Sequence, residues 1–157
     1  NAFHILQGME TLPLRMQRHM ENTEKMLAFL SQSDAVAWVR HPLRTNHPGH
    51  EIAKRMMPRG AGSIIVFGLK GGREAGRAFI ESVELASHLA NVGDAKTLVI
   101  HPASTTHSHI SAKAMIEGGL SDDMIRLSVG LEDFDDLRAD FETGFRAAAK
   151  IAKGQDE

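Results

Sequence analysis

Cysteine is absent from the 157 residues, which excludes disulfides, thiolate metal sites and a cysteine nucleophile. A surplus of one charge is lacking too: 18 Lys and Arg stand against 20 Asp and Glu. A general nucleic-acid surface needs a basic excess or stripe, so no nucleic-acid partner is expected. No apolar run approaches the roughly 20 residues needed to span a bilayer, and nothing resembles a signal peptide. The expectation is a soluble cytoplasmic protein with no membrane partner. Site signatures are missing as well. There is no G-x-x-x-x-G-K-[ST] phosphate loop and no G-x-S-x-G elbow. His50-Glu51-Ile52-Ala53-Lys54 begins like H-E-x-x-H but ends in lysine, so no metal site is expected. An initiating Met is lacking, and Phe3, Ile5, Leu6 and Met9 make the start apolar at once. A natural N-terminus is usually polar and frayed, so the chain reads as a piece of something longer.

What is present fits one domain with a substantial core. The spacing of Leu12, Met16, Met20, Thr23, Leu27 and Leu30 predicts a helix over 12–30 with that stripe buried, and Pro13 suits its first turn. Val36 to Val39 reads as a short strand, and 41–50, with two prolines and a glycine, as a loop into a short helix over 51–57. The apolar, β-branched run 63–69 predicts an interior strand. A second amphipathic helix is expected over 73–90, striped by Phe79, Val83, Ala86 and Ala90. A strand over 97–101, a short helix over 111–117 and a Gly118-Gly119 stop follow. A last helix is opened by Asp133 and Asp136 in a capping pattern and striped by Leu137, Phe141, Phe145, Ala148 and Ile151.

Two stretches carry the chemistry. In 124–132, Ile125, Leu127 and Val129 alternate with Arg126, Ser128 and Gly130, a strand with one apolar face. Arginine stays charged and burying it unpaired is costly, so Arg126 needs an anion. That anion is either one of the chain's own acids or the carboxylate of a ligand, which a planar fork suits well. The second stretch, Asn91 to Ser108, flanks a strand with hydroxyl, amide and imidazole groups. Singly each has a plain structural use: Asn91 as a helix cap, Ser104 to Thr106 bonding local backbone, His107 in an exposed loop.

Together, NVGDAKTLVIHPASTTHS (91–108) followed by IRLSVGLED (125–133) and Asp135-Asp136-Leu137 closely resemble the C-terminal part of the pyridoxal-phosphate enzymes of cysteine and methionine metabolism. LQGMETLPLRMQRHMEN (6–22) and HEIAKRMM (50–57) resemble the same family at and beyond its domain-linking helix. Asn91 before Val92-Gly93-Asp94, and Thr105 after the His-Pro-Ala-Ser run, look most like the O-acetylhomoserine sulfhydrylases. The methionine γ-lyase and cystathionine γ-synthase and γ-lyase branches are close neighbours, and a stand-alone amino-acid-binding regulatory module is a further alternative.

The resemblance implies that Arg126 grips the α-carboxylate of a small amino-acid substrate, that Asn91 helps hold the same carboxylate, and that Thr106 stands near the mouth of the site. It implies pyridoxal phosphate in the full-length enzyme, a homotetramer, and γ-replacement in which acetate leaves and sulfide or a thiol adds. The family's Schiff-base lysine lies in a serine-x-threonine-lysine-like run, and no lysine here has Ser or Thr three residues before it. Hence no catalytic or cofactor-binding residue is expected in this chain, and the partner is a missing N-terminal cofactor domain. Residues 1–11 become a remnant of that domain, 12–31 a linking helix and 32–157 a C-terminal substrate-binding domain. Strand and helix alternation by itself suggests a doubly wound parallel sheet. The resemblance implies instead an α+β domain, a mixed and largely antiparallel sheet with helices on one side.

Overall fold

In the computed structural model, which describes residues 2–105 and 112–154, the apolar alternation at 64–69 and 124–129 forms the middle of a five-stranded sheet. The elements are α1 (Ala2–Glu10), α2 (Leu12–Gln32), β1 (Val36–Arg40), α3 (His50–Met56), β2 (Ile64–Leu69), α4 (Gly72–Ser82), β3 (Ser87–His88), β4 (Leu98–Ile100), α5 (Ala112–Glu117), β5 (Met124–Ser128) and α6 (Phe134–Lys153). Strand order is β1-β2-β5-β4-β3. Only the β3–β4 pair is parallel. The fold is therefore the mixed α+β arrangement and not a doubly wound sheet. Sequence-adjacent β1 and β2, and β4 and β5, run antiparallel and pair directly, which leaves no parallel crossover between them.

Register decides which face is core. Ile65, Leu127 and Val99 lie in one cross-strand row and Phe67 and Ile125 in the next, and all five are buried. Helices α4 and α6 pack over that face through Phe79, Phe141 and Phe145, with Phe79 edge-on to Phe141 at 5.3 Å and to Phe67 at 5.9 Å. Gly144 makes this approach possible, because a Cβ there would sit 2.6 Å from the Phe79 ring. Each such large apolar side chain contributes on the order of 1.5–3 kcal/mol when buried. Asp133 opens α6 as its N-cap, accepting from the Asp135 N–H at 2.9 Å. Ile151, expected on the buried stripe, lies partly exposed near the end of that helix.

Two helix expectations need correction. The buried stripe of α2 is His19, Asn22, Thr23, Met26, Leu27 and Leu30, while Leu12 and Met16 are exposed. Polar side chains won these positions because carbonyl groups face them, as described below. Helix α4 stops at Ser82 instead of running to Ala90, since Val83 turns extended (φ −80°, ψ 140°). The freed N–H groups of Glu84, Leu85 and Ala86 bond the Asp140 carboxylate on α6, a tertiary acceptor that local periodicity cannot reveal. Asn91 is accordingly no helix cap. Helix α1 has no buried residue. Among the described residues, no helix is long and apolar enough to cross a membrane.

Candidate functional site

The sheet face opposite the Ile65, Leu127 and Val99 row carries the candidate site. Arg40, Val66, Arg126 and Ile100 form one row across β1, β2, β5 and β4. Arg126 stands half-buried between half-buried Val66 and buried Ile100. Its Nη2 donates to the Asn91 carbonyl at 3.3 Å. Among the described residues, no carboxylate lies within ion-pair distance of Arg126. A guanidinium has five donors, so the fork retains capacity for an external anion. Arg40, by contrast, lies over the Trp38 ring at 4.9 Å.

Asn91 meets Arg126 through its main chain, not its amide. The amide donates to Asp94 at 3.2 Å and its oxygen accepts from the Val92 N–H at 2.8 Å. Asp94 also accepts from the Lys96 N–H at 3.1 Å. These bonds, with the Lys96 amide foremost, hold the Asp94 carboxyl below the usual carboxylate range, so the turn 91–96 is an anion-centred loop at neutral pH. Thr106 and His107 lie outside the described residues.

The His-Pro-Ala-Ser turn is fixed from beneath. His101 is fully buried. Its Nε2 lies 2.7 Å from the Asp122 carbonyl and its Nδ1 2.8 Å from the Ser104 hydroxyl. A carbonyl can only accept, so Nε2 carries the proton and Nδ1 accepts from Ser104. Burial, helped by nearby Arg73, pushes the imidazole below its ordinary pKa against the opposing Asp122 bond. Arg73 Nη2 donates to the Ala103 carbonyl at 2.7 Å. The histidine is thus a neutral structural hub between α4, the turn at 102–105 and the entry to β5.

Beyond β5, the backbone at 129–132 is held by α2. His19 Nδ1 lies 2.7 Å from the Val129 carbonyl, and the Asn22 amide donates to the carbonyls of Gly130 (3.0 Å) and Glu132 (2.9 Å). Glu132 in turn accepts from the Thr97 N–H at 2.6 Å and the Thr97 hydroxyl at 2.8 Å. Sequence reading missed His19, Asn22, Glu132 and Asp140, because each bonds a chain segment remote in sequence. Among the described residues no group of three or more His, Cys, Asp or Glu could hold a metal. His47 Nδ1 accepts from the Gly49 N–H instead, and His50 Nδ1 lies 2.9 Å from the Pro42 carbonyl.

The model of the family described as Cys/Met metabolism PLP-dependent enzyme matches residues 1–146. The chain belongs to that family. O-acetyl-L-homoserine sulfhydrylase 1 of Thermus thermophilus is 50% identical over 139 residues, which cover 88% of this chain and 33% of that protein. Among solved structures, a putative O-acetylhomoserine (thiol)-lyase of Campylobacter jejuni, holding N'-pyridoxyl-lysine-5'-monophosphate, superposes with a TM-score of 0.84 at 37% identity. The match covers 93% of this chain and 35% of that one. Cystathionine gamma synthase of Xanthomonas oryzae, in complex with aminoacrylate and cysteine, gives 0.84 at 35% identity, over 93% and 38%. The chain spans about a third of the length of the curated relatives it matches.

The family implies pyridoxal phosphate, and the described residues do not fit it. Its attachment requires an enclosed lysine amine of depressed pKa. Every lysine of this chain is exposed. No lysine of these elements therefore offers such an amine.

Proposed function

We propose that this chain is the substrate-carboxylate-binding part of a pyridoxal-phosphate enzyme that acts on O-acetylhomoserine, releasing acetate and adding sulfide or a thiol to give homocysteine or its thioether. The observation that carries the reading is Arg126: a half-buried guanidinium, set between Val66 and Ile100, that donates to a carbonyl and pairs with no acid among the described residues. Its fork takes the two carboxylate oxygens of the amino-acid substrate, and gripping that end fixes which bonds face the reacting centre. The loop at Asn91 steadies the arginine. The 50% identity to an O-acetylhomoserine sulfhydrylase supports this branch over the lyases. On this reading residues 1–11 pack on a cofactor-binding part, 12–31 link the two parts and 32–157 bind substrate. The assembled enzyme is a cytoplasmic homotetramer.

The test is Arg126→Ala in the full-length protein. Removing one partner of a desolvated charge pair costs about 2–5 kcal/mol, which is on the order of 30- to several-thousand-fold in kcat/KM. Bound cofactor and thermal midpoint should stay unchanged. Arg126→Lys should recover only part, since an ammonium cannot make two parallel bonds. A variant that melts far earlier yet keeps near-normal kcat/KM while folded would make Arg126 a structural charge and sink the proposal.

A further inference from the structure

Asp140 sits in the middle of α6, half-buried and remote from Arg126 in sequence. Its Oδ1 accepts from the N–H groups of Glu84 (2.7 Å) and Leu85 (3.2 Å), and its Oδ2 accepts from Ala86 (3.0 Å). No cation is paired with it among the described residues. Helix α4 has ended, so these amides have no helical acceptor, and a carboxylate is the strongest acceptor a side chain can supply.

What leaves from Ala86 is segment 87–96, which presents the Asn91 carbonyl to Arg126. Apart from buried Ala86, burial does little to hold it: Leu89 is 56% and Val92 70% exposed. Its sheet pairing is the two-residue β3 alone. Polar anchors therefore decide where Asn91 stands. The far end is fixed by the Leu131 N–H to the Ala95 carbonyl at 2.8 Å and by Glu132 on Thr97. The near end is fixed by Asp140 and by the Ser87 N–H to the Thr97 carbonyl at 2.9 Å.

We infer that Asp140 is a positioning residue for the Arg126 site: it pins the near end of segment 87–96, and so holds the Asn91 carbonyl that orients the guanidinium. This rests on Arg126 being the carboxylate-binding group. With Asp140 removed, three amides lose a charged acceptor, the segment pivots about its far anchor, and Arg126 loses its fixed partner. The consequence falls on substrate grip and not on later steps.

The experiment measures KM for O-acetylhomoserine and kcat in the full-length protein for Asp140→Ala, Asp140→Asn, Arg126→Ala and the double variant Asp140→Ala/Arg126→Ala. Ala148→Gly on α6 serves as a control of lowered stability that touches neither segment. Asp140→Ala is expected to raise KM by about ten- to a hundredfold with kcat within about threefold, from the usual size of a lost charged hydrogen bond. Cofactor absorbance should not change, and amides 84–96 should exchange faster with deuterium. Asp140→Asn keeps an oxygen for the Glu84 and Leu85 N–H groups but turns an N–H toward the Ala86 N–H, so it should raise KM in the same direction by less than the alanine variant, and it carries the same comparison should that one not fold. In the Arg126→Ala background the Asp140 effect should vanish, because the residue acts through the arginine. If Arg126→Ala leaves KM unchanged, the carboxylate reading itself falls and this inference with it. If Arg126→Ala raises KM but Asp140→Ala does so no more than Ala148→Gly, or adds fully in the double variant, the inference alone is overturned.

Discussion

Gly76→Ala should destabilise the protein, although alanine is the better helix former. In an unencumbered helix interior the change gains about 0.5–1 kcal/mol. Gly76 lies within α4 over the His101 ring, and a Cβ there would stand 2.7 Å from Nε2 and 2.8 Å from Cδ2. The imidazole cannot retreat freely, because it is fully buried and bonded at both nitrogens. Overpacking of this kind costs about 1–3 kcal/mol. Pulling Nε2 off the Asp122 carbonyl leaves a buried donor unmet, worth about another 1–3 kcal/mol. Set against the helix gain, the net loss is about 1–5 kcal/mol, read from urea midpoints at unchanged slope. Gly8→Ala supplies the contrast, since a Cβ there meets nothing within 4 Å on exposed α1; it should be neutral or slightly stabilising. In a His101→Ala background the sign of Gly76→Ala should invert, as the obstacle is gone and the propensity gain remains. A neutral or stabilising Gly76→Ala in the native background, or one sign in both backgrounds, would refute this account of His101.

The buried histidines also set a pH dependence. His41 accepts from the Leu43 N–H at Nδ1, lies 3.1 Å from the Gly62 carbonyl at Nε2, and is held below its ordinary pKa chiefly by burial, as is His101. With folded pKa values below the unfolded value of about 6.5, the unfolded chain takes up more protons as pH falls. Stability is thus fully present above about pH 6.5 and is lost on acidification below it; urea midpoints at successive pH values measure this, and His101→Asn should flatten the slope. A midpoint that rises on acidification would contradict the neutral assignment. Asp133→Ala removes the α6 N-cap and should cost about 0.5–2 kcal/mol, read as a lower thermal midpoint at unchanged kcat/KM.

Much of the sheet was legible because its signal is local. The runs at 64–69 and 124–129 alternate or are continuously apolar, and their register buries Ile65, Phe67, Ile125 and Leu127 together. Arg126 stood out for the same reason, as one permanent charge in an apolar strand. The failures have one physical origin. Val83 and Ala86 keep a helical spacing that extends α4 to Ala90, but the Asp140 carboxylate takes three amides from the helix. On α2 the hydrophobic spacing marks Thr23, Leu27 and Leu30, which are buried, but also Leu12 and Met16, which are exposed, and Met20, which is half-buried. At His19 and Asn22 the face is buried and polar.

That polar face bears on how the site is held. The carbonyls of Val129, Gly130 and Glu132 lie past the end of β5, and a buried carbonyl left unmet costs about 1–3 kcal/mol. An apolar stripe on α2 would have left them so. His19 and Asn22 meet them directly, and the backbone thereby fixed carries Glu132 to Thr97 at the start of β4. Both ends of the segment that presents Asn91 to Arg126 are therefore fastened by side chains from helices α2 and α6, one through 129–132 and one through Asp140. Hydrophobic burial holds the helices on the sheet, but side-chain bonds to main chain decide where the arginine's neighbour stands. Conservative apolar changes in the core should then shift stability with little effect on substrate use, whereas changes at these few polar groups should lower both stability and substrate use.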